Sequence, residues 1–105
     1  MNTLELADHG PVIPVIVLDR VEDAVPLARA LVDGGVKVLE VTLRTPVALR
    51  CVEAIARDVP DAIVGVGTVR KHADVQASLD AGARFAVSPG YTPEIGRACR
   101  EAGLP

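Results

Sequence analysis

The sequence predicts an α/β protein built as half of a TIM-type (β/α)8 barrel. Three observations carry that expectation. Short apolar runs starting near residues 12, 36, 62 and 84 alternate with four segments of helical periodicity, an order that implies a parallel sheet with right-handed crossovers. Residues 30–46, ALVDGGVKVLEVTLRTP, lie over residues 77–93, ASLDAGARFAVSPGYTP, at an offset of 47 residues, with Ala, Asp, Gly, Thr and Pro coinciding, and that offset spans two βα units. A polar-lined strand interior favours a barrel over an open sheet, and 105 residues supply four units where a whole barrel takes about 250 residues. The chain stops where a fifth strand would begin, so the first and fourth strands are expected to keep unpaired edges, which are sticky and seldom left bare.

Residues 1–10 read as a lead-in, and 11–105 as the four units of a single partial-barrel domain. VIPVIVL (12–18) is a compact β-branched run and the first strand. Pro14 counts against a central position there, because proline cannot donate to the ladder. In the next segment Ala24, Leu27, Ala28, Leu31 and Val32 recur at helical spacing. Pro26 fits only near the first turn, and Gly34 and Gly35 stop the helix. VKVLEVTL (36–43) is the second strand. Thr45 is expected to cap the second helix with Pro46 at its first position. Its apolar stripe is Ala48, Cys51, Val52, Ile55 and Ala56, and Pro60 ends it. AIVGVGT (62–68) is the third strand, KHADVQASLDAG the third helix with Gly82 as its stop, and RFAVSPG (84–90) the fourth strand. The last helix opens on Thr92-Pro93 and closes at Gly103.

Composition excludes several function classes. A net charge of −3, from 11 basic and 14 acidic residues, gives no electrostatic reason to bind nucleic acid. Phe85 and Tyr91 are the only aromatic residues, too few for a base-stacking platform. No segment reaches the roughly 20 apolar residues of a membrane span, and the N-terminus has neither the basic flank nor the apolar run of a signal peptide. A soluble cytoplasmic protein is expected. Cys51 and Cys99 form no Cys-x-x-Cys pair and read as small apolar fillers. His9 and His72 stand alone, so no metal site is expected, and no cofactor motif is present: GVGTVR lacks the third glycine of a dinucleotide fingerprint.

LEVTLRTP (39–46) carries the chemistry. Side chains alternate across a strand, so Leu39, Val41 and Leu43 face the helices while Val38, Glu40, Thr42 and Arg44 face the interior. The polar residues gather toward the strand's C-terminal end, where barrel enzymes do their chemistry. A carboxylate in a semi-dry cavity has its pKa raised and suits proton transfer, and an arginine at the mouth offers a planar fork to a carboxylate. The plainer alternative is that Glu40 and Arg44 pair with each other in a loop. Gly65 and Gly67 leave Thr68 at the same rim, and Pro89-Gly90 shape it further or merely turn the chain. Asp19 and Arg20 read as a solvated loop after the first strand.

PVIPVIVL, GGVKVLEVTLRT, AIVGVGTV and FAVSPG resemble the 2-dehydro-3-deoxy-6-phosphogluconate (KDPG) and 4-hydroxy-2-oxoglutarate aldolases, over nearly the whole chain from Pro11 to Pro105. The resemblance implies a metal-free class I aldolase, a trimer of (β/α)8 barrels, that forms a Schiff base between a lysine and pyruvate. By that resemblance Glu40 matches the proton-transfer glutamate, Arg44 and Thr68 the residues that hold the pyruvate carboxylate, and Pro89 the proline lining the pyruvate pocket.

The sequence departs from the family at the nucleophile. The family's lysine belongs to the sixth strand. Here the lysines are Lys37, at the wrong end of the second strand, and Lys71, at the start of the third helix and outside the family's motif. The phosphate site expected after strands seven and eight lies outside the chain as well. The sequence therefore implies one of three things. It is the N-terminal half of a pyruvate-dependent aldolase whose lysine comes from a complementary C-terminal half. Or it is a non-catalytic half-barrel that associates through its open edges and binds 2-keto acids. Or it is an inactive gene fragment.

Overall fold

In the computed structural model all 105 residues are described. Strands β1 (Val15–Ile16), β2 (Val38–Thr42) and β3 (Ile63–Gly67) form a parallel sheet in the order β1-β2-β3. Helices α2 (Ala24–Asp33), α3 (Ala48–Asp58), α4 (His72–Asp80) and α5 (Pro93–Ala102) follow the successive strand positions. A short 3-10 turn, Val21–Asp23, leads into α2 and leaves Pro26 in its first turn, where no intrahelical N–H is lost.

Both faces of β2 and β3 are buried, but in different company. Leu39, Val41, Val64 and Val66 join the large core under the helices, with Cys51, Val52 and Ile55 of α3. Val38 and Ile63 point the other way and pack with Phe85 and Leu6 in a small second cluster. Leu6 comes from α1 (Thr3–Asp8), which closes the bottom of the barrel interior. The expected lead-in thus contains a helix. Its signal was local: the Asn2 side chain accepts from the Glu5 N–H at 2.9 Å while the Glu5 carboxylate accepts from the Asn2 N–H at 2.8 Å, a capping box.

Two expected strands are shorter than read. The first covers Val15–Ile16 and not 12–18, because Pro11 and Pro14 remove donors at its start and β2 is its only neighbour. The fourth is a single bridge between Val66 and Ala86. Residues 84–87 still follow β3: Arg84 N–H donates to Val64 (2.9 Å), Val66 N–H to Phe85 (3.1 Å) and Val87 N–H to Val66 (2.8 Å). On the outer side the Ala86 N–H donates to the Pro105 carbonyl (2.9 Å). With a strand along one edge only, this segment does not reach the regularity of β2 or β3.

Helix ends follow the sequence closely. Gly35 (φ +93°), Gly82 (φ +98°) and Gly103 (φ +68°) take the left-handed conformations that end α2, α4 and α5. The Thr92 side chain caps α5, accepting from the Ile95 N–H at 3.2 Å. The expected cap at Thr45 does not form. Its hydroxyl donates instead to the Leu18 carbonyl at 2.6 Å, and α3 begins at Ala48, beyond Pro46.

Candidate active site

Glu40 sits in the middle of β2 on the interior face and is 8% exposed. Its partners in register are Val15 on β1 and Gly65 on β3. The side chain leans toward the C-terminal end of the sheet, so that the carboxyl lies over Gly67, two residues nearer the mouth; a Cβ at position 67 would collide with it. A Cβ at Gly65 would collide with the Phe85 ring. The two glycines of the third strand therefore make room for different things: Gly65 for the apolar floor, Gly67 for the acid above it.

No cation compensates this acid. The ion pairs of the chain are Met1–Glu5, Arg20–Glu22 and Arg57–Asp58, all at the surface away from it. Burial alone pushes the Glu40 carboxyl above the ordinary carboxylate range, since removal from water penalises the charged form. A carboxyl group poised this way can hold a proton closer to neutrality than a solvated glutamate and pass it on.

Thr68 follows Gly67 directly and is the only non-glycine residue with a positive φ, +63°. A β-branched residue in this region costs of order 1–3 kcal/mol and persists where the surroundings hold it, which is frequent at functional sites. The turn it begins is tied down on both sides. Val69 N–H donates to the Val87 carbonyl (3.1 Å), and the Ser88 hydroxyl donates to the Val69 carbonyl (2.7 Å). In the sequence the signal for Ser88 is its place in SPG alone. Ser88 couples the Thr68 turn to the Pro89 turn, and Pro89 itself is exposed at the rim.

Arg44 lies differently from the expectation. β2 ends at Thr42, so Arg44 stands in the following turn, exposed and without an ion pair, and not on the strand's interior row. The alternative of a Glu40–Arg44 pair is absent too. Two hydroxyls fix this turn against β1: Thr42 donates to the Ile16 carbonyl (3.3 Å) and Thr45 to the Leu18 carbonyl (2.6 Å). The structure thus brings Glu40, Gly67 and Thr68 together and leaves Arg44 and Pro89 on the rim around them. None of the four surface cavities is lined by these residues; the largest, about 430 Å³, lies between α4 and α5. The interior side of the three strands and of residues 84–87 is an open face, not an enclosed hole. No cluster of His, Cys, Asp and Glu is placed to hold a metal ion, and no helix is long and apolar enough to cross a membrane.

Lys37 precedes β2 at the end away from Glu40's carboxyl, and Lys71 stands at the N-cap of α4, on the mouth side. Both are exposed.

A parallel βα arc with an acid on its interior face and its turns at the strands' C-terminal ends defines a portion of a TIM-type barrel. The chain belongs to the KDPG and KHG aldolase family, whose profile matches residues 4–105. It is 53% identical over 96 residues to the KHG/KDPG aldolase of Escherichia coli K12, covering 91% of this chain and 45% of that one. It is 52% identical over 101 residues to the 2-dehydro-3-deoxy-phosphogluconate aldolase of Dickeya dadantii, covering 96% of this chain and 47% of that one. Among solved structures, the KDPG aldolase of Legionella pneumophila, with pyruvate captured as a covalent carbinolamine, superposes with a TM-score of 0.88 at 49% identity over 92% of this chain and 47% of that one. The aldolase of Zymomonas mobilis ATCC 29191 gives 0.93 at 41% identity over 99% and 50%. The chain spans about half the length of the relatives it matches.

Proposed function

We propose that this chain is the proton-transfer and carboxylate-binding half of a pyruvate aldolase pocket, and that by itself it binds pyruvate or a related 2-keto acid without cleaving a carbon–carbon bond. The observation that carries the reading is the unpaired, interior carboxyl of Glu40 lying over Gly67, beside the strained turn at Thr68. In this reading the Thr68 hydroxyl and the Arg44 fork hold the keto acid's carboxylate, Pro89 lines the pocket, and Glu40 carries protons to and from the carbonyl carbon's substituents. Cleavage of a KDPG- or KHG-type substrate further needs an amine that condenses with the keto group and makes an electron sink. Neither Lys37 nor Lys71 lies on the interior face, so that amine belongs to a complementary C-terminal half. The covalent pyruvate adduct of the Legionella relative supports assigning this chemistry to the family. A cytoplasmic location, work without metal or cofactor, and assembly of complete barrels into trimers belong to the same proposal.

The test is a pyruvate titration followed by amide chemical shifts, with borohydride trapping in parallel. Shifts at Gly67, Thr68 and Val69 that vanish in Arg44→Ala, with no mass increase after borohydride, are expected. A trapped adduct on Lys71 would replace this reading with autonomous Schiff-base chemistry. A saturating titration that leaves the Thr68 turn unmoved would remove the binding role.

A further inference from the structure

The hydrogen bonds between β3 and the segment beside it lose step at Thr68. Val66 donates its N–H to the Phe85 carbonyl (3.1 Å), and its own carbonyl accepts from the Val87 N–H (2.8 Å). In a parallel ladder the next residue to repeat this pattern stands two positions further along. That residue is Thr68, yet the N–H that reaches the Val87 carbonyl belongs to Val69 (3.1 Å). Neither the N–H nor the C=O of Thr68 enters a backbone hydrogen bond. Thr68 is therefore one residue in excess, a β-bulge, and its φ of +63° is how the chain takes up the extra length.

The next step of the ladder meets a proline. Val69 donates to residue 87, so by the pattern of Val66 its carbonyl should accept from the N–H of residue 89. Pro89 has no N–H to give. Val69 is 0% exposed, so solvent does not reach its carbonyl to supply the missing donor. The Ser88 hydroxyl supplies it, donating at 2.7 Å. The same oxygen lies 2.5 Å from the Gly90 carbonyl, which shares its one proton, and accepts from the Gly90 N–H at 3.4 Å. One side chain thus ties the strand beyond the bulge to the turn beyond the proline.

We propose that Ser88 is a positioning residue for the keto-acid site: its hydroxyl stands in for the N–H that Pro89 lacks, closes the ladder behind the bulge and so holds Thr68 left-handed at the rim. The inference rests on the reading of Thr68 as a carboxylate-binding residue. Two demands meet at this place. A proline at the rim takes a donor out of the sheet, and a β-branched residue in the left-handed region stays there only while its surroundings hold it. A serine directly before the proline answers both. Beyond Val69 the chain is held again by the Asp74 carboxylate, which accepts from the Arg70 and Lys71 N–H groups at 3.1 and 3.2 Å. Ser88 bridges the gap between that anchor and the ladder. Without its hydroxyl a buried carbonyl loses its donor, and the turn is free to carry Thr68 back to a negative φ.

Two measurements on the purified chain decide it: the strong intraresidue amide–Hα Overhauser effect that marks a left-handed Thr68, and pyruvate affinity from a shift titration. Ser88→Ala should lose the Thr68 effect and weaken pyruvate binding by on the order of tenfold, as the competent conformer is diluted. Ser88→Thr keeps the hydroxyl and should restore both. Ser88→Ala combined with Pro89→Ala returns a backbone N–H at position 89 and should bring the Thr68 effect back, a rescue that a merely stabilising serine would not show. Should Ser88→Ala fail to fold, Ser88→Cys, a weaker donor of similar size, should give a partial loss of both signals. A Ser88→Ala chain that melts lower yet keeps the Thr68 effect and the affinity overturns the proposal, as does a Ser88→Cys chain that matches its parent in both. If the unmodified chain does not bind pyruvate, the keto-acid reading falls, and the Thr68 effect alone decides whether Ser88 holds the turn.

Discussion

Residues 30–46 and 77–93 start alike and finish differently. Both leave a helix by the same device: Val36 N–H donates to Leu31 (2.8 Å) around Gly35, and Ala83 N–H donates to Ser78 (3.0 Å) around Gly82. Both then send a large apolar side chain to the barrel floor, Val38 in one and Phe85 in the other, where the two meet in one cluster. From there they part. Residues 38–42 form a five-residue strand buried throughout, while 84–87 reach a single bridge. Thr92 caps its helix, while Thr45, in the same Thr-Pro context, gives its hydroxyl to Leu18 and leaves α3 uncapped by a side chain. A helix end is decided by its own few residues. A strand is decided by what lies on each side of it, and β2 has two neighbours where 84–87 has one.

The largest effect is expected at the shared floor position. Phe85→Ala should cost about 3–5 kcal/mol in urea denaturation, since it empties the space Gly65 leaves open. Val38→Ala should cost less, about 1.5–3 kcal/mol. Equal costs would mean that the weakly paired segment is held by its hydrogen bonds and not by its aromatic anchor.

Next come the paired glycines. An alanine at Gly35 meets nothing but its own backbone conformation and should cost about 1–2 kcal/mol. At Gly82 the added Cβ also presses on the Ala56 Cβ at 2.9 Å, raising the expected loss to about 2–4 kcal/mol. Thermal midpoints of the two variants check the order. A Gly35 variant that melts lower than its Gly82 twin breaks the equivalence of the two stops.

These contrasts mark what was legible in the sequence. The helix stops at Gly35, Gly82 and Gly103 and the cap at Thr92 were readable because each acts within a few residues. So was the interior direction of Glu40, which alternation within one strand fixes. The capping box at Asn2 and Glu5 is equally local, but it opens a helix of six residues, too short to show an apolar period. What no local pattern contains is the space across strands. Gly67 clears Glu40 and Gly65 clears Phe85 only once β2, β3 and 84–87 lie in register. Thr45 looks like a cap until the Leu18 carbonyl stands beside it. The alternation of LEVTLRT carries the interior row on to Arg44, whereas the ladder stops at Thr42.

The two threonines give a smaller effect. Thr92→Ala should cost about 1 kcal/mol and speed exchange of the Ile95 amide at the start of α5. Thr45→Val should cost about as much but leave the amides of α3 unchanged, loosening the Leu18–Arg20 loop instead. Thr45→Ser, which keeps the hydroxyl, should restore it. Faster exchange in α3 after Thr45→Val would return that residue to the capping role its sequence context suggests.

The smallest expected effect is confined to a pH window and belongs to the residue that the second strand carries and the fourth lacks. Position 40 is an acid; its counterpart in the repeat, Val87, is apolar. Burial raises the Glu40 carboxyl above its ordinary value of 4.5 in the folded chain, while the unfolded chain keeps the ordinary value. Below 4.5 both states hold the proton and the group contributes nothing. As pH rises through the interval up to the folded value, the native state holds a proton that the unfolded state has released, so stability falls across that interval and levels off above it. Glu40→Gln removes this slope. The two proteins should therefore differ least at acid pH, with the glutamine variant the more stable at neutrality, and urea midpoints taken from pH 4 to 8 measure the difference. A glutamate form that gains stability over the same range would place a cation beside the carboxylate in solution, and would make the interior of β2 as well compensated as its helix-facing side.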